Sequence, residues 1–242
     1  PEAARSLPVP RATSRPSSTT RPRWGVSRPA ATCRAAVLPA PADRLPQNRF
    51  WPDAPMYPGN LARNWNLSFV LQPAGPPQGV AVLLHGLTDA PYSLRHVALH
   101  YQARGWAVVA IRLPGHGTVP AGLTKASVEQ WEAATRLPVR EAQRLAPGKP
   151  LHMVGYSNGA ALAVSHALDS LETPALGRPD QLVLVSPMVG LTPFARFTGL
   201  AGMPAIFPAF VNAAWLDVIP EYNPFKYNSF PVRAGAEAHR LT

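Results

Sequence analysis

The sequence is poor in cysteine and in acidic residues, and it contains no uninterrupted apolar run of the roughly 20 residues that a membrane-spanning helix needs. Cys33 is the only cysteine among 242 residues, which excludes an internal disulfide. Lys and Arg outnumber Asp and Glu by 23 to 13, which gives a formal net charge of +10. Pro and Arg interrupt the first segment every few residues, so we expect no secretory signal there.

The excess positive charge is concentrated in residues 1–49. That segment has nine arginines against two acidic residues, a net charge of +7, and is otherwise rich in Pro, Ser, Thr and Ala. It has no sustained helical or strand period, so it cannot bury enough apolar surface to offset its ordering entropy. We therefore predict a disordered segment at 1–49 and a folded domain at 50–242. Because Trp24 is the only aromatic residue before Phe50, we expect a solvated tail rather than a nucleic-acid partner.

From about residue 66 onward, predicted strands alternate with predicted helices. Short apolar runs bounded by turn residues predict strands at 66–71, 79–84, 107–111, 151–155 and 181–185. Helical spacing of apolar residues predicts helices at 94–101, at 127–146 with Ser127 as the N-cap and a kink at Pro138, and at 158–171. Because the strands are apolar throughout, we predict an α/β fold with a mostly parallel sheet and helices covering both faces.

Polar and glycine-rich motifs follow three of these predicted strands. They are His85-Gly86, Gly115-His116-Gly117 and the pentapeptide GYSNG at 155–159. In parallel sheets, ligands bind beyond the carboxyl ends of the strands, which is where all three motifs fall. No G-x-G-x-x-G follows any strand, which argues against a dinucleotide-binding domain. No cluster of His, Cys, Asp and Glu has metal-ligand spacing, so we predict neither a metal nor a cofactor.

The serine of the last motif, Ser157, lies between two glycines where an apolar strand gives way to a helix. The G-x-S-x-G pattern fixes only three positions and is weak evidence by itself. Its context is more specific, because a serine on a sharp strand-to-helix turn is held in strained backbone geometry. The flanking glycines have no side chains that would block the close approach of the strand and the helix. The N-terminus of the following helix then offers amide donors to a developing oxyanion. The pattern predicts a nucleophilic serine.

Three segments in register, VLLHGLTDAPYSLR, RLPGHGT and GYSNG, resemble an α/β-hydrolase of the carboxylesterase and monoacylglycerol-lipase type, a group also described as serine aminopeptidase-like. The resemblance covers residues 67–187. It implies an α/β-hydrolase fold and a serine hydrolase that acts on small-molecule carboxylic esters through an acyl-enzyme, without a cofactor.

The resemblance also implies roles for individual residues. Ser157 matches the nucleophile of the family, and Leu87 and Asn158 match the residues whose backbone amides form the oxyanion hole. Three further residues match loops that shape the pocket: His85, Gly86 and His116. We expect His116 to shape its loop rather than to act as the general base, because it precedes the serine in the chain.

The last third of the sequence departs from the family pattern. In the family, the acid and the histidine follow the serine, each at the end of a later strand, yet we find no further buried strand after residue 185. Asp217 and His239 have the right order but no strand-end context, so we predict that they form no hydrogen-bonded chain to Ser157 and that the last strands of the fold are missing. This leaves a second hypothesis open: a non-catalytic scaffold, or an inactive fragment, that binds an apolar ligand or a partner.

Residues 188–232 are apolar and aromatic but are broken by proline and glycine. The resemblance implies that a segment inserted at this point caps the pocket as a lid. The alternative is an ordinary pair of core helices. The sequence determines neither the oligomeric state nor the compartment, although we slightly favour the cytoplasm.

Overall fold

The computed structural model describes residues 51–54, 57–190 and 214–242. The basic segment predicted at 1–49 lies outside the described residues, and so does most of the lid segment predicted at 188–232. Within the described ranges, no helix is both long enough and apolar enough to cross a membrane.

Among the described residues, five strands form the main sheet, in the spatial order β1-β3-β2-β4-β5. Their bounds are β1 Phe69–Leu71, β2 Val80–Leu84, β3 Ala107–Ile111, β4 Leu151–Tyr156 and β5 Gln181–Val185. β2 to β5 run parallel, and β1 pairs antiparallel with β3. The mostly parallel sheet is therefore confirmed. In register, Leu84 of β2 lies opposite both Ile111 and Gly155, so the loops that follow β2, β3 and β4 leave the sheet side by side.

In the described ranges the α-helices are α1 Arg95–Ala103, α2 Val128–Leu145, α3 Asn158–Glu172 and α4 Val232–Leu241. Short 3-10 turns cover Pro58–Asn60, Pro91–Leu94, Pro120–Thr124 and Pro174–Leu176. α2 begins as predicted, because the Ser127 hydroxyl accepts the Gln130 N–H while the Gln130 side chain accepts the Ser127 N–H. The helix continues through Pro138, which is buried.

Helices cover both faces of the sheet, as the apolar strands predicted. Along β2, Val80, Val82 and Leu84 face the layer formed by α2 and α3, where Trp131 is fully buried. Ala81 and Leu83 point the other way and pack in a second cluster with Ala98 of α1. This alternation follows from the two-residue period of a strand. Burying one large aliphatic side chain contributes about 1.5–3 kcal/mol, so the central strands anchor the loops at their ends.

The strand β5 is more exposed than the central strands of the sheet. Leu184 is 39% exposed and Val185 is 41% exposed. The physical reason is position: β5 is the last strand of the main sheet, and in the described part of the chain it pairs only with β4. α3 packs against it on one side.

A small second sheet lies outside the main one, where the sequence predicted no further strand. It consists of β6 Trp215–Asp217 and β7 Phe230–Pro231, which pair antiparallel. Asp217 therefore ends a short strand, which corrects the expectation that it has no strand-end context. The residue is exposed, and its strand is not part of the sheet that carries Ser157.

Candidate active site

Ser157 lies on the sharp turn between β4 and α3, and its backbone has φ 53° and ψ −115°. Positive φ is uncommon for a residue with a side chain, and holding such a residue costs on the order of 1–3 kcal/mol. Two backbone hydrogen bonds hold Ser157 in this conformation. The Ser157 N–H donates to the carbonyl of Val185 over 3.0 Å, and the Ser157 carbonyl accepts from Ala160 N–H over 3.0 Å. The serine side chain itself remains partly exposed.

The glycines on either side of Ser157 are required by the close approach of helix and strands. A Cβ on Gly155 would collide with the backbone of Gly159 and Ala160, and a Cβ on Gly159 would collide with the carbonyl of Leu84. The α3 N-terminus is therefore packed directly against the end of β2. No larger residue fits at either position without moving the backbone.

The loop that follows β2 lies beside Ser157. A Cβ placed on Gly86 would be 3.3 Å from the Cβ of Ser157 and 3.1 Å from the ring of Tyr156. Leu87 is partly exposed, whereas its neighbours from Val80 to Gly86 and from Thr88 to Pro91 are buried. Leu87 is thus the one point where this run of the chain opens to the surface. The structure brings Gly86 and the predicted nucleophile together.

The side chain of His85 determines how the loop is oriented. Its Nε2 accepts the Leu113 N–H over 3.0 Å, so the proton of the neutral ring is on Nδ1, which donates to the Gly86 carbonyl over 2.9 Å. Burial lowers the pKa of His85 well below its ordinary value, which keeps the ring neutral. In a trans peptide, C=O and N–H point in opposite directions. Because the Gly86 carbonyl points at the His85 ring, the Leu87 N–H points away from it.

His116 packs behind this loop, with its ring centre 4.9 Å from that of His85. It is 1% exposed, its Nδ1 donates to the Pro114 carbonyl over 2.9 Å, and burial lowers its pKa to about 4. Its Nε2 is buried without a hydrogen-bond partner among the described residues. His116 therefore makes no contact that would let it take a proton from Ser157. Neither His116 nor His85 lines the pocket described below.

Asp217 and His239 are not joined to Ser157 in this structure. His239 lies on α4, and its Nδ1 is buried without a hydrogen-bond partner in the described part of the chain. Asp217 is exposed at the end of β6. The described residues contain no hydrogen bond from the Ser157 hydroxyl to a histidine.

A pocket of about 450 Å³ opens next to the turn that carries Ser157. Its aromatic and apolar walls are formed by Tyr92, Val97, Tyr156, Val185 and Phe225. Two of these residues adjoin the nucleophile, because Tyr156 precedes Ser157 and the Val185 carbonyl accepts its N–H. The pocket is therefore lined by two residues in direct contact with Ser157, while Ser157 itself is not one of its lining residues.

Two charged residues, Asp89 and Lys226, also line this pocket. Burial raises the pKa of the Asp89 carboxyl, while its hydrogen bonds with Ser93 and the Ala90 N–H and the charge of Lys226 act in the opposite direction. Asp89 is 7% exposed, and its Oδ1 accepts the Ala90 N–H over 2.8 Å. The pocket therefore has polar and charged lining residues beside its aromatic and aliphatic ones.

Sequence reasoning missed one residue that contacts the site loops, Tyr227. Its N–H donates to the Thr88 carbonyl, and its hydroxyl joins Gly115 and Thr118. Thr118 and Tyr227 are 109 residues apart, and a single tyrosine in a loop gives no local signal of such a contact. Two strained residues were also missed, Thr88 with φ 65° and Ser186 with φ 44°. Both lie, like Ser157, just beyond the ends of parallel strands.

A mostly parallel sheet between helical layers, with a serine on a strained turn beside a His-Gly loop, is the architecture of an α/β-hydrolase. The family model described as "Serine aminopeptidase, S33" matches residues 75–219. The chain belongs to this hydrolase family. A search of curated proteins found no match.

Solved structures with the same fold include several esterases and lipases. A metagenome-derived lipolytic enzyme aligns with a TM-score of 0.59 and 22% identity, covering 73% of this chain and 68% of that one. A thermostable carboxyl esterase from Bacillus coagulans aligns at 0.54 and 16%, covering 72% and 66%. A soluble variant of monoglyceride lipase from Saccharomyces cerevisiae aligns at 0.54 and 14%, covering 72% and 63%. The chain thus spans about two thirds of the length of these proteins.

Proposed function

We propose that the protein hydrolyses carboxylic esters through an acyl-enzyme formed on Ser157. The observation that carries this proposal is the strained conformation of Ser157 at the end of β4, with Gly86 beside it and a pocket adjoining it. The esterases and lipases among the similar folds support the choice of an ester as substrate.

In the proposed reaction, Ser157 Oγ forms a bond to the ester carbonyl carbon while the carbonyl π electrons move to its oxygen. The tetrahedral intermediate then expels the alcohol oxygen, which takes up the proton released by the serine hydroxyl. Water attacks the acyl-enzyme in the same way, releasing the acid and restoring the serine. The general base that carries the proton is assigned to none of the described residues, because no histidine among them contacts Ser157.

The Leu87 and Asn158 amides are the proposed oxyanion donors. Asn158 is the first residue of α3, and the first N–H groups of a helix have no partner within it. The Leu87 N–H is directed away from the His85 ring by the bond from that ring to the Gly86 carbonyl. Removing a single oxyanion donor typically lowers kcat by about 10²–10³. His85 and Gly86 accordingly act on the reaction by positioning the Leu87 amide.

We further propose that the pocket beside Ser157 receives an apolar part of the ester. Its walls are mainly aromatic and aliphatic, with Asp89 and Lys226 on one side. Residues 188–232 are proposed to act as a lid for this pocket, within a folded domain that spans residues 50–242. Both proposals concern substrate selection rather than the chemical step.

A fluorophosphonate probe tests the proposed nucleophile. We expect the wild-type protein to be labelled, and Ser157→Ala to lose labelling entirely. Ser186→Ala is the matched control, because Ser186 also has positive φ and also follows a parallel strand. Labelling that persists in Ser157→Ala, or that disappears equally in Ser186→Ala, would overturn the proposal.

A second candidate function is a non-catalytic scaffold that binds an apolar small molecule in the same pocket. The observation that favours it is that the Ser157 hydroxyl makes no hydrogen bond to a histidine among the described residues. A fluorescent fatty-acid ester distinguishes the two functions. Saturable binding without turnover in wild-type protein, unchanged in Ser157→Ala, supports the scaffold, whereas turnover that requires Ser157 excludes it.

A further inference from the structure

We propose that residues 223–227, here called the strap, position the loop 85–90 that supplies the Leu87 amide, with Tyr227 as the principal positioning residue. This inference rests on the proposed function, because it assigns the strap a role at the oxyanion site. It concerns five residues near the end of the segment 188–232, the part of that segment that is hydrogen-bonded to the loops beyond β2 and β3.

The backbone of the strap is hydrogen-bonded directly to the loop. The Tyr227 N–H donates to the Thr88 carbonyl over 2.6 Å. Thr88 immediately follows Leu87 and has φ 65°, a conformation that persists only where the surroundings restrain it. On the other side of Leu87, the His85 ring holds the Gly86 carbonyl. The peptides on both sides of Leu87 are therefore hydrogen-bonded, one to the ring of His85 and the other to the strap.

The Tyr227 hydroxyl anchors the strap to a second loop. It donates to the Gly115 carbonyl over 2.9 Å and accepts the Thr118 N–H over 2.9 Å. Tyr227 is 3% exposed, and its ring lies parallel to that of His116 at a centroid distance of 6.4 Å. Because both bonds use one hydroxyl group, a single oxygen joins the strap to the loop that follows β3. That loop in turn packs on His85.

Two further contacts join the strap to other parts of the chain, one to Tyr92 and one to Asn66. The Phe225 ring stacks on that of Tyr92, which belongs to the 3-10 turn that follows the loop 85–90. The Asn66 Nδ2 donates to the Pro224 carbonyl over 2.5 Å. The strap is thus held by residues that precede β1, that follow β2 and that follow β3. A displacement of the strap would be transmitted to Thr88 and hence to the adjoining Leu87 peptide.

The test compares Tyr227→Phe with Tyr222→Phe. The first substitution keeps the buried ring and removes only the hydroxyl, whereas Tyr222 is 57% exposed in the same stretch of chain and serves as the control. We measure hydrogen exchange of the amides in residues 86–90 and the second-order rate of fluorophosphonate labelling. Loss of the two hydroxyl bonds is expected to speed exchange of this loop about tenfold and to slow labelling about tenfold. Tyr222→Phe should change neither rate.

Asn66→Ala removes a different contact of the strap, the hydrogen bond to the Pro224 carbonyl, and does not alter the loop 85–90 itself. It is expected to shift both rates in the same direction by a smaller factor. If Tyr227→Phe and Asn66→Ala lower the melting temperature but leave both rates equal to those of Tyr222→Phe, the tyrosine is merely structural and the inference is wrong. If labelling does not depend on Ser157, the proposed function fails, while the exchange rates still decide whether the strap orders the loop.

Discussion

At Ser157 the backbone conformation itself carries a free-energy cost, and this cost can be measured. Glycine adopts the observed φ 53° without strain, whereas alanine does not. Strain of about 1–3 kcal/mol outweighs the roughly 0.5–1 kcal/mol that glycine loses in chain entropy. We therefore predict that Ser157→Gly is more stable than Ser157→Ala by about 1 kcal/mol in urea unfolding, although both are inactive. Equal or reversed stabilities would show that the turn is not strained.

A second prediction at the scale of the residue concerns the pH dependence of stability. Burial lowers the pKa of His116 from 6.5 to about 4. Between those values the unfolded chain binds a proton that the folded chain does not, so the free energy of unfolding must fall as the pH is lowered through this window. The contribution of His116 is present in full above pH 6.5 and amounts to about 3 kcal/mol.

His116→Phe tests this prediction, since it retains a buried ring but cannot be protonated. The pH dependence between 6.5 and 4 should be shallower in this variant than in wild type. His85 and His152 change stability in the same direction and Asp89 in the opposite direction, and these three groups are present in both proteins. His96→Asn, on the exposed side of α1, is the control. Parallel curves for wild type and His116→Phe would contradict the assignment.

At the scale of the element, the α3 N-terminus is docked on β2 through Gly159. In a free helix, Gly→Ala would be stabilising by about 1 kcal/mol. Here the new Cβ would meet the Leu84 carbonyl, and overpacking of this kind costs about 1–3 kcal/mol or more. We predict that Gly159→Ala is destabilised by about 2 kcal/mol and labels more slowly. Gly75→Ala, where the added Cβ meets nothing within 4 Å, should leave both the unfolding free energy and the labelling rate unchanged.

Helix α4 is attached to the start of α2 by the carboxylate of Glu237. Its Oε2 accepts the Val128 N–H over 3.1 Å and a bond from Arg240 over 2.8 Å. Glu237 is 7% exposed, so Glu237→Ala leaves a buried N–H unpaired and is expected to cost about 1–3 kcal/mol. Glu172→Ala, at the exposed end of α3, is the control. An unfolding midpoint for Glu237→Ala equal to that of the control would show that α4 is not held by this bond.

At the scale of the whole molecule, the sequence predicted those parts of the fold that depend on local pattern. β3 and β5 have the predicted bounds, because each is a short apolar run between turn residues. α2 begins at the predicted cap because Ser127 and Gln130 carry the capping box within four residues. The proximity of Ser157 and Gly86 was also predictable, because each follows a predicted parallel strand and the carboxyl ends of parallel strands lie at the same edge of a sheet.

Features that depend on contacts between distant segments were not predicted. β6 and β7 are only three and two residues long, too short for a periodic signal. Tyr227 meets Thr88 and Gly115 only after the chain has folded, so nothing in the residues around it indicates the contact.

The central claim, that Ser157 is the nucleophile of an ester hydrolase, is tested most directly by locating a trapped acyl group. The protein is mixed with an activated fatty-acid ester, quenched with acid within milliseconds and digested, and the acylated peptide is sequenced by mass spectrometry. We predict one acyl adduct, on Ser157, that forms at the rate of the first turnover. An adduct on any other residue, or ester turnover with Ser157 unmodified and dispensable, would contradict the account.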